Sequence, residues 1–220
     1  MISGLEAAPM ASVPRLTINP ATLVQGLQFL TQQDPVLAQV YAQVQTPPLW
    51  LRPPGLATLV QIILEQQVSL ASAQAIFNRL QALCQPFTAE QLLALTPEQW
   101  RCCGVSRPKQ TYIRHLATAI WEQRLNLEAL KDKDDQQVYG ELTQIRGIGA
   151  WTANIYLLMA LGRPDVWPTG DLALEWAVQQ LYGLPAKCSV RDWSKVTAPW
   201  RPWRAVAARL LWHYYLQCRR

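Results

Sequence analysis

Asp171 follows Trp151 by twenty residues, and between them the chain runs through Gly162-Arg163-Pro164-Asp165 and Val166-Trp167-Pro168-Thr169-Gly170. A carboxylate placed at the end of such a turn-rich connection can stabilise developing positive charge or orient a water molecule. Asp is also a common helix N-cap, and the apolar residues Leu172, Leu174 and Ala177 that follow fit that role equally. Just upstream, Gly147-Ile148-Gly149 turns the chain between Leu142 and Ile145 on one side and Trp151, Ile155, Leu158 and Met159 on the other. A glycine hairpin opening a helix exposes backbone N–H groups, which with the helix dipole hold a phosphate without a basic side chain. Trp151, at the start of that helix, reads from its spacing as an aromatic packed on the apolar face.

Those groups need helices to hold them, and helical signals dominate the chain. Asn19-Pro20 pairs a capping residue with Pro at the first helical position. Leu23, Leu27 and Leu30 share one face, and Leu37, Val40, Tyr41 and Val44 share another after Asp34-Pro35. Pro47-Pro48 and Pro53-Pro54-Gly55 interrupt the chain before an apolar helix over Leu59 to Val68, and Ser69 opens the next. Thr88 and Thr96, each with Gln three residues later, mark capping boxes. Longer helices are expected over Arg107 to Arg124, Val138 to Ile145, Asp171 to Leu181 and Trp203 to Cys218, with Lys131 to Asp135 as a solvated turn. No strand alternation or internal repeat appears. The expected architecture is all-α: a loose arm over 1–18, then one domain over 19–220 made of two helical subdomains flanking a cleft. One subdomain would come from about 60–165, the other from the N-terminal and C-terminal helices.

With these motifs in place, the chain resembles the helix-hairpin-helix (HhH-GPD) DNA glycosylase superfamily, and within it the alkylbase, or 3-methyladenine type II, branch. The hairpin-to-aspartate segment carries the resemblance. So do Leu64-Glu65-Gln66-Gln67-Val68-Ser69, Gly104-Val105-Ser106-Arg107-Pro108-Lys109 and Trp200-Arg201-Pro202-Trp203-Arg204. It covers roughly Leu49 to Gln217. The resemblance implies a DNA glycosylase of base excision repair that flips an alkylated purine of the 3-methyladenine or 7-methylguanine type from double-stranded DNA. Asp171 would be the catalytic carboxylate, with Trp151, Trp212 and Tyr156 lining the base pocket. DNA contacts would come from Gly147, Ile148, Gly149, Ala150 and Thr152 of the hairpin, from Gln66 and Gln67, the latter filling the gap left by the base, and from Lys109. Trp151 stands where lyase-type members carry a Schiff-base lysine, which implies hydrolysis without strand cleavage. Backbone carbonyls of Thr143, Ile145 and Ile148 would hold a structural Na⁺ or K⁺. Ile155 occupies the place where relatives often have tyrosine, with Tyr156 one residue later, so the range of accepted bases stays open. A deaminated, oxidised or mispaired base is one alternative, and a non-catalytic hairpin DNA-binding protein is another.

Bulk properties are compatible with these expectations. The 220 residues carry 20 Lys plus Arg against 15 Asp plus Glu, a net charge of +5, and half are hydrophobic. The excess of five suits a polyanionic partner but is a weak signal alone. Five cysteines, Cys84, Cys102, Cys103, Cys188 and Cys218, contain no CxxC pair. Neither a disulfide framework, a zinc site nor an iron–sulfur cluster is expected. The expected setting is a reducing cytoplasm, nucleoid-associated in a bacterium or nuclear in a eukaryote, with the protein a monomer. No secretory leader or membrane span is read from the sequence.

Overall fold

A computed structural model of the chain describes residues 16–185 and 190–219. Most of the expected 1–18 arm and Cys188 lie outside the described residues. The part of the arm that is described is not loose. Ile18 is buried and its N–H donates to the Gly162 carbonyl at 2.7 Å, which ties the chain to the fold one residue before the first helix is capped.

The described residues form helices and no strand. In chain order these are α1 (Pro20–Gln33), α2 (Pro35–Val44), α3 (Leu56–Glu65), α4 (Leu70–Leu83), α5 (Ala89–Ala94), α6 (Pro97–Cys102) and α7 (Arg107–Trp121). They continue with α8 (Asp135–Thr143), α9 (Ala150–Ile155), α10 (Leu172–Tyr182), α11 (Val190–Thr197) and α12 (Arg204–Cys218). One side of the molecule is built from α1, α2, α10 and α12. The other has α3 against α4, α7 and α9, with α5 on α7 and α8 on α9. Gly26 of α1 faces α12 so closely that an added Cβ would lie 2.8 Å from the Trp203 ring and from Val206. A single apolar core runs through both groups and includes Leu30, Leu59, Ile113, Leu142, Trp200 and Leu211.

Local chemistry explains most boundaries. Asn19 and Thr22 close a capping box on α1, and Asp34 both ends α1 through its N–H and caps α2 through its carboxylate. Of the two expected boxes at the threonines, Thr96 with Gln99 forms completely. Thr88 accepts from the Gln91 N–H without a return bond. The charge run at Lys131 to Asp135 is more ordered than a solvated turn. Ala129–Asp132 is a 3₁₀ turn, Asp134 and Gln137 make a further capping box, and α8 starts at Asp135, three residues before the expected Val138. Lys133 pairs with Glu141, and the buried Arg163 donates to the Lys131 and Lys133 carbonyls. The expected helix to Val68 stops at Glu65 because Gln67 adopts a left-handed φ of 57°.

Past Ile155, α9 continues as a π turn over Tyr156–Ala160, with the Leu161 N–H reaching back to the Tyr156 carbonyl. Leu158 and Met159 carbonyls in this widened turn take outside donors, the Arg209 guanidinium at 2.8 Å and the Arg52 N–H at 2.9 Å. No helix among the described residues is long and apolar enough to cross a membrane.

Candidate active site

The hairpin is pulled tight by two backbone bonds, Ile145 N–H to Leu142 and Ile148 N–H to Ile145, at 3.1 and 3.0 Å. Gly147 is required there on two grounds. Its φ is +96°, and a Cβ would sit 2.1 Å from Cγ of Tyr112. Ile148 is 3% exposed and Thr152 1%, so their side chains anchor the hairpin and only their backbone could meet a ligand. Gly149 and Ala150 are exposed at the start of α9, where no side chain caps the free N–H groups. The Ile145 carbonyl accepts from Ile148. The Thr143 and Ile148 carbonyls accept no hydrogen bond from other described residues, which leaves oxygens of the type a monovalent cation needs.

Asp171 lies at the N-terminus of α10 and collects four donors. Oδ1 accepts from the Ala173 and Leu174 N–H groups and from the indole Nε1 of Trp212, each at 3.1 Å; Oδ2 accepts from the indole Nε1 of Trp151 at 2.9 Å. The residue that caps α10 is thus also the one that both indoles meet. Three elements converge on it: the hairpin helix supplies Trp151, α10 supplies the backbone donors, and α12 supplies Trp212. One turn further along α10, Glu175 is half-buried and makes no hydrogen bond or ion pair with another described side chain. Burial and the charge of Asp171 push its carboxyl above the usual range. Sequence reasoning missed this second acid, although the i, i+4 spacing places it on the same helix face.

Tyr156 does not join the pocket wall. Its side chain is fully buried, and its hydroxyl accepts the Gly55 N–H at 3.0 Å. Burial raises its pKa, with the Gly55 bond acting in the opposite direction. Ile155 beside it is 2% exposed, so both side chains at this point of the helix belong to the core.

The Gln66-Gln67 turn sits against the hairpin. Gln66 Nε2 donates to the Gly147 carbonyl at 3.0 Å and to the Thr152 hydroxyl at 2.9 Å. Its amide donor therefore joins two parts of the protein and is not directed outward as a DNA contact. Lys109 behaves similarly. The ammonium donates to the Leu64 carbonyl at 2.8 Å, capping the end of α3, and burial lowers its pKa. Gln67, unlike Gln66, is exposed, and its backbone is left-handed. Val68 and Leu70 beside it are 43% and 65% exposed.

Asp165, the other acid on the loop, is held by Arg204 through bonds of 2.7 and 3.1 Å to its two oxygens, with a third guanidinium bond to its carbonyl. It is a loop anchor. Arg209, which sequence reasoning passed over, is fully buried with only carbonyl partners, those of Leu49, Ala205 and Leu158, and burial brings its pKa down to about 10. Among the described residues no group of His, Cys, Asp and Glu side chains could hold a metal ion, and Cys84, Cys102, Cys103 and Cys218 are free.

The chain is similar to known proteins over most of its length. It is 32% identical over 161 residues to DNA-3-methyladenine glycosylase 1 of Schizosaccharomyces pombe, covering 70% of this chain and 69% of that one. It is 33% identical over 166 residues to the probable bifunctional transcriptional activator/DNA repair enzyme AlkA of Mycobacterium tuberculosis. That match covers 70% of this chain but spans only 32% of the mycobacterial protein. Its fold superimposes with a TM-score of 0.78 on the S. pombe 3-methyladenine DNA glycosylase (Mag1) in complex with abasic DNA. There the identity is 26%, over 86% of this chain and 95% of that one. The profile of the HhH-GPD superfamily base excision DNA repair proteins matches residues 60–202, a span that runs from α3 through the hairpin and Asp171 to the loop before α12, and the chain belongs to that superfamily.

Proposed function

We propose that the protein is a monofunctional DNA glycosylase that removes an alkylated purine, of the 3-methyladenine or 7-methylguanine type, by hydrolysis. The observation that carries this reading is the coordination of Asp171, whose two oxygens are gripped by two indoles and a helix start. Oδ1 has three partners and is committed. Oδ2 has one, which leaves it an acceptor position for an incoming water or for charge building on a deoxyribose. Both tryptophans are fixed by these bonds; Trp151 is half-buried and keeps part of its ring open to a flat cationic base, while Trp212 is 9% exposed and backs the site.

In this reading the open N–H groups from Gly149 to Thr152 hold a phosphate of double-stranded DNA. Where Na⁺ or K⁺ binds, the Thr143, Ile145 and Ile148 carbonyls would hold it and it would add positive charge at that phosphate. Gln67, exposed at the tip of its turn, enters the space vacated by the flipped base. As the N-glycosidic bond breaks, its electron pair leaves with the base and positive charge grows on the sugar, where Oδ2 of Asp171 stabilises it. Water then adds to the sugar carbon, its spare proton passes to solvent, and a neutral abasic site remains. Trp151 has no amine, so no imine forms. The protein acts as a monomer in the compartment that holds its DNA.

The test is a duplex carrying one 3-methyladenine or 7-methylguanine, assayed for base release and abasic-site formation. The native protein releases the base, and Asp171→Asn lowers the rate by about a thousand-fold with the helical circular dichroism unchanged. Full release by Asp171→Asn overturns the assignment of the acid. A covalent protein–DNA adduct trapped by borohydride overturns the hydrolytic route.

A further inference from the structure

We propose that Trp50 is a third aromatic wall of the base site and contributes to its selection of cationic bases, an assignment that rests on the glycosylase reading above. Trp50 lies on the Pro-rich connection between α2 and α3, outside every motif of the sequence. Its φ is +48°, in the left-handed region that a bulky residue rarely adopts. Strain of this kind persists only where neighbouring structure imposes it. Here the imposing contacts are visible on both flanks. The buried Arg209 guanidinium donates to the Leu49 carbonyl at 2.7 Å, and the Arg52 N–H donates to the Met159 carbonyl at 2.9 Å. Arg52 also forks onto Glu65, through contacts of 3.0 and 2.9 Å, at the end of the helix that leads into the Gln66-Gln67 turn. The loop is therefore fastened to α12, to the π turn beyond Trp151 and to α3.

The strained backbone sets the indole edge-on to Trp212, with ring centroids 6.3 Å apart and planes at 79°. The ring of His213 lies at the same centroid distance on another side. Trp212 is the residue whose indole grips Asp171 Oδ1, so Trp151, Asp171, Trp212 and Trp50 form one continuous chain of contacts. Trp50 is half-buried, and its own Nε1 has no hydrogen-bond partner among the described residues. Two indole planes near a right angle make a corner: one face stacks on a flat ring while the other closes its edge. The ligand this corner suits is a planar heteroaromatic cation, which gains from electron-rich faces on two sides.

The experiment compares two duplexes, one carrying a 2′-fluorinated, hydrolysis-resistant 7-methylguanine nucleotide and one carrying a tetrahydrofuran abasic analogue. Affinities are measured for the native protein, Trp50→Leu, Trp50→Phe and Trp50→Asn, the last chosen because Asn tolerates the left-handed backbone and so preserves the loop. The native protein should bind the lesion duplex more tightly than the abasic one. Trp50→Leu and Trp50→Asn should lose about ten-fold of that preference, with abasic-duplex affinity unchanged, and Trp50→Phe should keep most of it. A native-like preference in Trp50→Leu and Trp50→Asn overturns the proposal. So does equal weakening on both duplexes, or the absence of any lesion preference in the native protein. Base release from the ordinary lesion, run alongside, separates the two readings: a native protein that prefers the lesion duplex but releases nothing refutes the hydrolase and leaves the Trp50 comparison decisive.

Discussion

Asp171 and Asp34 share one local design and differ in a single acceptor position. Each caps a helix through Oδ1 and each takes aromatic donors. Asp34 Oδ1 receives the Val36 and Leu37 N–H groups, and its Oδ2 receives the Tyr182 hydroxyl at 2.6 Å and the Trp200 indole at 2.8 Å. Both oxygens of Asp34 are thus filled twice, whereas Oδ2 of Asp171 holds only Trp151. In the proposed glycosylase, that open position is what separates a carboxylate that locks from one that can act. Glu175 bears on the same site through charge. Its carboxyl is raised in the folded protein by burial and by Asp171, so the native state disfavours its ionised form. The resulting penalty is complete above the folded pKa, declines as pH falls through it, and is gone below the unfolded value of about 4.3. Glu175→Gln should therefore raise Tm near neutral pH and leave it unchanged at about pH 4. A Tm gain of equal size at both pH values would show that the side chain acts through packing and not through charge.

At the scale of elements, the site depends on how the Gln66-Gln67 turn meets the hairpin. Gln66 is the direct bridge, and its two bonds reach the carbonyl of Gly147 and the side chain of Thr152 on either side of the free N–H groups. Gln66→Leu keeps the volume but leaves both acceptors without their donor, a loss of roughly 1–2 kcal/mol. The expected result is a small fall in Tm together with weaker binding of both undamaged and abasic duplexes, because the turn and the phosphate site lose their common register. Unchanged duplex affinity in a variant with lowered Tm would confine Gln66 to a stabilising role. Much at this level was legible from the sequence. The glycine hairpin, the Asp171 cap and the break near Ser69 depend on neighbours a few residues away, and such signals survive in one dimension. Of the readings that failed, two show why. The Lys131 to Asp135 run looked solvated because its charges conceal the Asp134 capping box. Tyr156 looked pocket-facing because its nearness to the expected tyrosine position gave no sign of the π turn that begins at it.

Across the whole molecule, the long-range contacts are the part the sequence does not disclose. Asp34 is 148 residues from Tyr182 and 166 from Trp200, and Arg209 is 160 from Leu49. Nothing in local spacing forecasts such pairs, although Asp34 ahead of Pro35, Arg209 in the last helix and Trp200, one tryptophan among ten, are all in plain view. Asp34 joins the α1–α2 corner to the end of α10 and to the turn before α12, so it holds together the side of the molecule from which Asp171 and Trp212 project. Burial and the adjacent carboxylate both raise the Tyr182 pKa, as expected for a phenol kept neutral as donor. Asp34→Ala removes a helix cap and leaves a buried hydroxyl and a buried indole N–H unpaired, a combined loss of about 3 kcal/mol. For a chain of this size that corresponds to a Tm lower by roughly 6–12 °C. Base release measured well below the transition should stay close to native, since Asp34 makes no contact with the four-donor cluster at Asp171. A variant that melts normally but releases base slowly would mean that the corner governs the site directly, and the division between the locking aspartate and the acting one would have to be abandoned.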